Sequence, residues 1–507
     1  MMLFRMNTIT EIQRHSRQVS VGIALLVFHM TEPKGHLNCR MRTLFPLLLS
    51  CWFMGPNAAA QSIEWSAPCV VAASEYGYNN LRMELDANGH PLVLHGKPGN
   101  TGGLFCTRWN GVGFDAPVAV TADAGLLIND GEGPRMAIQG DQVAVGYQIA
   151  GQWATGGKVV LSADGGVSWG EPSPIAPSAA LDHFMPVPAF GEDGHPWVAM
   201  KWGSNPVLEG IQRWDPTSGA YLPAVAANGA MPGNEVCECC ASMPFHHGGR
   251  DYNAIRNNDN NLRDFWLART DENGDWSEAI DVDPTDWFFN ACPESEAEYA
   301  LTNENDILLV YMSAGEGNSR VYWSLVNTNE FSLTASDRIQ PNSENLENHP
   351  SVSASAVGVC AAWEQNDGGY DIWTSLSESP ENWADEAQMV TSELSGHSKK
   401  PVIRAHNGTL HLVYQRPSEG VIHYRVGTPV STSVISVNTP DWSCLPTPTG
   451  WNITGLTEAA KWQLFDTLGK PLSGGISLDG TIPSAHRGMG FLHIVSGSKR
   501  RAFKTLR

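Results

Sequence analysis

The sequence contains few charged residues, and positive charge is the scarcer kind. Charged residues make up 17% of the 507 residues, and 32 Lys and Arg stand against 53 Asp and Glu. Nothing in this composition is typical of a coiled coil, whose surface positions are rich in charge. The acidic excess disfavours phosphate backbones and anionic lipids as partners. We therefore expect no nucleic-acid partner.

Long apolar runs are also rare. Near Met41 two arginines flank the start of a segment, an apolar run extends from Leu44 to Met54, and small residues follow at 58–60. This order predicts a secretory signal peptide over 41–60, with residues 1–40 as an upstream extension. An internal core segment is the alternative. No other run approaches the length of about 18 to 20 residues that a spanning helix needs, so we expect no membrane span.

Glycine, proline and tryptophan are abundant, at 50, 32 and 18 residues, which is typical of a turn-rich all-β protein. A turn between two short apolar strands recurs seven times at intervals of 50 to 56 residues. Its turn residues tolerate the positive φ that a tight hairpin requires. They are Gly89, Gly140, Gly194, Gly249, Asn305, Gly358 and Gly408.

Each repeat contains segments for four strands, except that the last one lacks a fourth. The segment Ile63–Val71 matches the pattern of the missing strand and lies at the other end of the region. One unit completed by the opposite terminus predicts a closed ring, which is a seven-bladed β-propeller over 61–426. Six blades are the alternative, if the unit around 184–223 is irregular.

The loops that precede the first strand of each blade share a face with the loops between second and third strands. Ligands usually enter a propeller channel on this face. We therefore expect a ligand-facing set of residues in these loops. The set is His183, Cys237, Cys239, Cys240, Asn257, Cys292, Glu294, His349 and Lys400.

The segment Ser162–Trp169 reads SADGGVSW and matches S-x-D-x-G-x-[ST]-W, the Asp box of sialidases and related propellers. We expect a structural role: Asp164 accepts backbone hydrogen bonds, Gly166 permits the bend, and Trp169 packs between blades. The repeat region also resembles sialidase-like bacterial propellers that carry a Cys-x-Cys-Cys run, an Arg-Asn and an Arg-Asp pair, and a Cys-Pro. Here these are VCECC, the pairs at 256–257 and 263–264, and the pair at 292–293.

The resemblance implies a sialidase-like fold and a glycan or glycoprotein ligand. Sialidases bind the substrate carboxylate with three arginines, but this chain lacks their early Arg-Ile-Pro signature, and no nucleophilic Tyr stands out. The hypotheses are a secreted exo-glycosidase of the exo-α-sialidase type and a non-catalytic propeller that binds glycan or protein. Salt bridges between blades are the alternative role for the arginines. The candidate catalytic residues are Arg82, Arg135, Arg256, Arg263, Asp264 and Arg320.

The cysteines allow two interpretations. Cys237, Cys239 and Cys240 precede one repeat and Cys292 precedes the next, so all four are predicted to lie near one side of the channel mouth. They could form disulfides or, with histidines, a metal site. The oxidising compartment and the absence of a standard zinc spacing favour a disulfide from Cys239 or Cys240 to Cys292. We therefore assign no metal and no cofactor.

The C-terminal part differs from the rest in charge and pattern. Residues 427–445 form a Ser/Thr/Pro-rich linker, and residues 441–507 carry eight basic and four acidic residues. Short alternating strands over 446–507 predict a small β-sandwich. This segment resembles the C-terminal sorting domain of the type IX secretion system, which implies the type IX export machinery as a partner and a secreted or cell-surface location. A carbohydrate-binding appendage is the alternative.

Overall fold

The computed structural model describes residues 61–99, 101–175, 182–303, 305–384 and 386–431, and the ranges 443–447, 450–454, 459–466, 470–479, 481–483, 489–496 and 499–506. All of them belong to the second of two compact units, Ala58–Arg507. The predicted upstream extension and signal peptide lie outside the described residues.

Residues 61–431 form seven antiparallel sheets, numbered here in chain order, and one short 3-10 helix, Ser74–Tyr76. Sheet 1 contains Asn79–Leu85, Pro91–Lys97, Gly103–Arg108 and Val118–Ala119. Sheet 2 contains Arg135–Gln139, Gln142–Gln148, Gly157–Ser162 and Ser173–Pro174. Sheet 3 contains His183–Phe190, Pro196–Trp202, Leu208–Asp215, Ala220–Tyr221 and Val225–Ala226. Sheet 4 contains Met243–His247, Arg250–Arg256, Phe265–Thr270 and Trp276–Asp281.

The remaining three sheets follow the same order. Sheet 5 contains Glu298–Asn303, Asp306–Ser313, Arg320–Asn327 and Ser332–Arg338. Sheet 6 contains Leu346–Ser355, Gly358–Asn366, Tyr370–Ser377 and Gln388–Met389. Sheet 7 contains Lys399–His406, Thr409–Arg416, Val421–Ser431, Gln61–Trp65 and Cys69–Val70.

The N-terminal segment completes the last sheet, as predicted. Gln61–Trp65 pairs antiparallel with Val421–Ser431, and Ile63 lies opposite Pro429. The unit around 184–223, which the six-blade alternative took as irregular, also folds into a sheet. This is sheet 3, and its outer edge is divided into two short strands. The six predicted turn glycines all have a positive φ, between 61° and 120°.

The first strands of the seven sheets surround a common axis. Neighbouring first strands contact each other from sheet 1 to sheet 4 and from sheet 5 through sheet 7 back to sheet 1. Between sheets 4 and 5, the Phe245 ring stacks on Tyr299 with centroids 3.9 Å apart. This ring of antiparallel sheets is consistent with an all-β propeller.

The core lies between adjacent sheets. Apolar residues of sheets 1 and 2 form one buried cluster, and those of sheets 4 and 5 form another. A strand packed between two neighbours is buried on both faces, and Pro91–Lys97 accordingly has six buried residues in succession. No helix among the described residues is long and apolar enough to cross a bilayer.

The C-terminal region contains two further antiparallel sheets. The smaller has the strands Ser443–Thr447, Gly450–Thr454 and Thr481–Pro483, and the larger has Pro471–Ser477, Ala460–Phe465, Met489–Ser496 and Lys499–Leu506. One apolar cluster contains residues of both sheets, among them Trp451 and Trp462. The two sheets therefore pack on a shared core, as in a small sandwich.

Candidate functional site

Four first strands carry the same irregularity near their beginning. Sheets 1, 3, 6 and 7 each have a β-bulge at this point, and the residue after the last pair before the bulge has a positive φ. These residues are Asn80 at 57°, Met185 at 54°, His349 at 49° and Lys400 at 52°. Such a conformation costs a non-glycine residue about 1 to 3 kcal/mol, and bulges re-aim side chains at functional sites. We call the end of the channel that they surround the channel mouth.

A buried ion-pair cluster crosses the channel next to these bulges. Glu296 accepts from Arg82 at 2.9 Å with one carboxylate oxygen and from Arg135 at 2.8 Å with the other. Burial would raise the pKa of Glu296, but the positive charges of Arg135 and Arg82 outweigh it and lower that pKa. Burial and the like charge of Arg82 lower the pKa of Arg135 to about 10. We call these three residues the channel floor.

His349 and Lys400 meet at the channel mouth. The Lys400 Nζ atom lies 3.1 Å from His349 Nδ1, and His349 Nε2 lies 3.6 Å from a Glu364 oxygen. Burial and the charge of Lys400 hold the pKa of His349 well below its usual range, so the imidazole is neutral. Burial also lowers the pKa of Lys400 and raises that of Glu364, while the opposite charges of the two residues partly offset both shifts.

Asn80 lies at the mouth and has a buried side-chain amide. Its backbone N–H donates to Asp130 Oδ1 at 2.6 Å, and the same oxygen accepts from Gln415 at 2.7 Å. The side chain is fully buried, and among the described residues neither its Oδ1 nor its Nδ2 has a hydrogen-bond partner. A buried amide in this state points to a further partner, because nearly all such groups are hydrogen-bonded.

A second ion-pair layer lies further along the same strands. Arg404 donates to Glu84 at 2.8 Å and lies 3.3 Å from Glu298. A cavity of about 500 Å³ is lined by the channel floor, by this second layer and by residues from the first strands of all seven sheets. The described residues therefore place charges of both signs at two levels of the channel.

The five candidate arginines divide into two groups. Arg82 and Arg135 belong to the channel floor. Arg256, Arg263 and Arg320 do not converge on the same carboxylate, and each donates to main-chain carbonyl groups. Only two of the five guanidinium groups thus share a partner in the channel.

Arg256 has a structural environment. It is fully buried, its Nη2 donates to the Met312 carbonyl at 2.8 Å, and its guanidinium lies 4.0 Å from the Phe265 ring centre. Asp264 is also buried and accepts from the backbone N–H of Trp287 at 2.7 Å. Burial raises the pKa of Asp264 to about 6. Its neighbour Asp283, which the sequence analysis missed, has a pKa raised to about 7, again mainly by burial.

The other residues predicted on the ligand face are dispersed. His183 is buried, and its backbone N–H donates to the Trp153 carbonyl at 2.8 Å. The backbone N–H of Asn257 donates to the Asp264 carbonyl at 2.9 Å. Glu294 has a φ of 49°, two residues before the channel floor. His349 and Lys400 alone of this set take part in the channel mouth described above.

The predicted disulfide is wrong. The seven cysteines whose side chains are described are all free, including Cys239, Cys240 and Cys292. Cys292 is exposed, whereas Cys237, Cys239 and Cys240 are buried and turn their sulfur atoms toward one another. Proximity along the chain and in neighbouring loops was therefore not enough to pair Cys292 with the other three.

The segment Ser162–Trp169 forms the tight turn that was expected. Asp164 accepts two hydrogen bonds from Ser168, one from the backbone N–H at 2.9 Å and one from the hydroxyl at 2.6 Å. The hydrogen bonds from Ser168 lower the pKa of Asp164 to about 2. Gly166 has a φ of 83°, and Trp169 packs against the core between sheets 1 and 2. The structural role of this segment and its assignment as an Asp box both stay predictions.

Sequence reasoning missed Asn80, Glu296 and Glu364. A signal was present for the mouth, because Met185, His349 and Lys400 are each followed by proline at the same place in their repeats. A residue before proline is excluded from the helical region and starts an extended strand. The positive φ at these positions depends on the bulge and could not be read from the residue type.

No protein-family model matches this chain, and neither does any curated protein. Solved structures with a similar fold include a protein of unknown function from Dyadobacter fermentans, at 12% identity over 72% of this chain and 99% of that one, with a TM-score of 0.43. A polysaccharide lyase described as an ulvan lyase has 11% identity over 75% and 98%, with a TM-score of 0.47. A Hadza microbial sialidase has 13% identity over 65% and 73%, with a TM-score of 0.38. These sequence identities and TM-scores are too low to carry an argument about function.

Proposed function

We propose that this protein is a glycan-binding β-propeller whose ligand site is the channel mouth. The observation that carries the proposal is the set of strained bulges around the mouth, one of which holds the buried, unpartnered amide of Asn80. Strain of this kind persists where the surrounding structure imposes it, and it is common at binding sites.

The charge balance favours an uncharged sugar over an acidic one. Glu296 already engages Arg82 and Arg135 with its two carboxylate oxygens, so a substrate carboxylate would have to displace it. Apolar sugar faces also stack on aromatic rings. Trp153 and Phe288 are 40% and 67% exposed, in loops that open on the same face as the mouth in propeller topology.

The second candidate function is an exo-glycosidase of sialidase-like type. It is favoured by two carboxyl groups, a partly buried one and a buried one, whose surroundings shift their pKa values in opposite directions, downward for Glu296 and upward for Glu364. Such a pair can separate an ionised carboxylate from a general acid. The arginines give this candidate less support, because only two of the five share the channel.

Binding and turnover are separated by one set of measurements. Wild-type protein is applied to a glycan array and incubated with fluorogenic sialosides and a mixed glycan panel. Binding without sugar release supports the proposal, and release that Glu364→Gln abolishes supports the glycosidase. If the protein neither binds a glycan nor releases a sugar, both candidate functions are contradicted.

The site is tested by Lys400→Met, with Lys399→Met as the matched control. Lys399 lies in the same strand, but its ammonium stacks on the Tyr370 ring at 3.6 Å. We expect Lys400→Met to weaken glycan binding by about tenfold or more, as the loss of a charged hydrogen bond does. Equal losses in the two variants would place the ligand elsewhere.

We further propose a seven-bladed ring, in which the Ser162–Trp169 turn is a structural Asp box. The support is the seven sheets and the closure through Gln61–Trp65. Export through the 41–60 signal peptide, sorting by the type IX machinery through 446–507, and a secreted or cell-surface location are proposed from the sequence patterns alone. We expect the signal peptide and the 446–507 segment both to be removed during export. Mass spectrometry of the protein recovered from culture supernatant and cell surface tests both cleavages, and intact termini there would contradict them.

A further inference from the structure

The loop before sheet 4 brings three thiols together. The sulfur of Cys237 lies 3.4 Å from that of Cys239 and 3.5 Å from that of Cys240. All three sulfurs lie within 4.8 Å of one another, and the residues are 0%, 5% and 1% exposed. Two sulfurs bound to one tetrahedral zinc ion at about 2.3 Å are separated by about 3.8 Å. The thiols thus need to move only slightly to hold an ion of this size.

The loop is held in place by its backbone. The N–H of Val236 donates at 2.9 Å to the carbonyl of Val207, the residue just before a strand of sheet 3, and the N–H of Cys237 donates to the Arg256 carbonyl of sheet 4 at 2.9 Å. The N–H of Asn258 donates back to Glu235 at 3.1 Å. Because neighbouring sheets fix both sides of the loop, the sulfur positions are set before any ion arrives, which lowers the entropic cost of binding.

The surroundings favour the thiolate form of Cys237. Hydrogen bonding with Cys239 and Cys240, together with the positive charges of Arg256 and Arg263, lowers its pKa. The pKa values of Cys239 and Cys240 are raised, by hydrogen bonding and by burial respectively. Only thiolates bind metal, so an ion would replace the protons of these two thiols and release them to solvent.

A disulfide within the cluster is less suitable. Consecutive Cα atoms are about 3.8 Å apart, which is below the lower limit of about 4.4 Å for disulfide-bonded cysteines, and this disfavours the Cys239–Cys240 pair. A bond from Cys237 to either neighbour would leave one buried thiol alone. The convergence of all three sulfurs is accounted for by a common ligand rather than by one bond.

We propose that Cys237, Cys239 and Cys240 form a binding site for one thiophilic d¹⁰ metal ion, Cu⁺ or Zn²⁺. Thiolate sulfur selects these ions over Mg²⁺ and Ca²⁺, which prefer oxygen. Among the described residues only these three ligand atoms converge. Cu⁺ is satisfied by three sulfurs, whereas Zn²⁺ takes a fourth ligand such as water.

The test uses the reduced full chain, with Cu⁺, Zn²⁺ and Ca²⁺ added separately under anaerobic conditions and excess ion removed. We expect one Cu⁺ or one Zn²⁺ per chain by mass spectrometry of the elements, and no retained Ca²⁺. Co²⁺ serves as a spectroscopic probe, because sulfur-to-cobalt charge-transfer absorption reports thiolate ligation. The ion retained more tightly in competition identifies which of the two the site prefers.

Cys237→Ser, Cys239→Ser and Cys240→Ser should each weaken binding by about tenfold or more. Cys360→Ser is the matched control, because Cys360 is equally buried but lies outside the cluster. Thermal unfolding of each variant shows whether it folds, and the wild-type titration stands without any variant. Substoichiometric retention of both ions by reduced wild-type protein, or an equal loss in Cys360→Ser, would overturn the proposal. So would a native disulfide that joins two of the three cysteines.

Discussion

The channel floor and the loops of sheet 4 both bury ionisable groups, but they neutralise them differently. In the floor, Glu296 is shared by Arg82 and Arg135, so opposite charges face each other directly. In the sheet 4 loops, Arg256 is the buried cation, and its charge acts on Cys237, Asp264 and Asp283. It does not prevent the pKa values of the two aspartates from rising to about 6 and 7.

The difference shows which region is complete without a further charge. The floor pairs its charges within the protein and retains an ionised carboxylate. The sheet 4 loops retain protons on the buried thiols of Cys239 and Cys240, which an added cation could replace. Removing one charge should therefore damage the floor, whereas adding one should stabilise the sheet 4 loops.

The largest effect is expected for Glu296→Gln. This change leaves two largely buried guanidinium groups without a counter-charge, and we expect a loss of about 3 kcal/mol in the free energy of unfolding. Because the folded-state pKa of Glu296 is lowered, its stabilisation is present above about pH 4.3 and is lost as the pH falls through the folded value. Urea denaturation at neutral and acidic pH measures both effects.

The matched control for this change is Glu344→Gln. Glu344 lies 3.5 Å from Arg320, but its side chain is 92% exposed. Exposed pairs contribute little, so this variant should stay within about 1 kcal/mol of wild type. Equal losses of unfolding free energy in the two variants would mean that the ion pairs of Glu296 stabilise the fold no more than an exposed pair does.

The next effect is the stabilisation of the sheet 4 loops by a metal ion. At a free Cu⁺ or Zn²⁺ concentration about a hundredfold above Kd, the free energy of unfolding should rise by about 2.7 kcal/mol. Differential scanning calorimetry of the reduced chain with and without each ion measures it. The rise should fall to about 1.4 kcal/mol or less in Cys237→Ser, because binding there is weakened by about tenfold or more, and it should persist in full in Cys360→Ser. An undiminished rise in Cys237→Ser would assign the stabilisation to another site.

A smaller, pH-dependent effect is expected for Asp283→Asn. The pKa of Asp283 is raised to about 7, so the protonated form stabilises the fold at low pH and this stability is lost as the pH rises from about 4 through about 7. The variant cannot ionise and should therefore lose about 2 kcal/mol of that pH dependence. Unfolding free energies at pH 5 and pH 8 measure it. An unchanged pH dependence would show that Asp283 does not titrate in this range.

The sequence carried most of the information about the fold. Glycine at Gly89, Gly140 and the equivalent turns marked each repeat because those turns need a positive φ. The orphan segment Ile63–Val71 predicted the closure because the last repeat lacked its outer strand, and Gln61–Trp65 supplies that strand. Local conformational demands and strand pairing are both visible in a single chain.

The site was predicted less completely. Arg82, Arg135, His349 and Lys400 were among the predicted residues, but Glu296, which joins the two arginines, was not. Glu296 is 161 residues away from Arg135 along the chain, and no repeat pattern marks it as the partner. The same reason explains the disulfide error, since a shared face of the ring does not give the direction of each thiol.

The sequence by itself thus determined the all-β repeat, its turns and the closing strand, because these depend on periodicity, glycine conformation and neighbouring strands. Tertiary structure alone decided which arginines share a carboxylate, which first strands bulge into the channel mouth and where the three buried thiols point. Those features depend on side-chain directions across separate sheets, where a rotation or a one-residue bulge changes which groups meet.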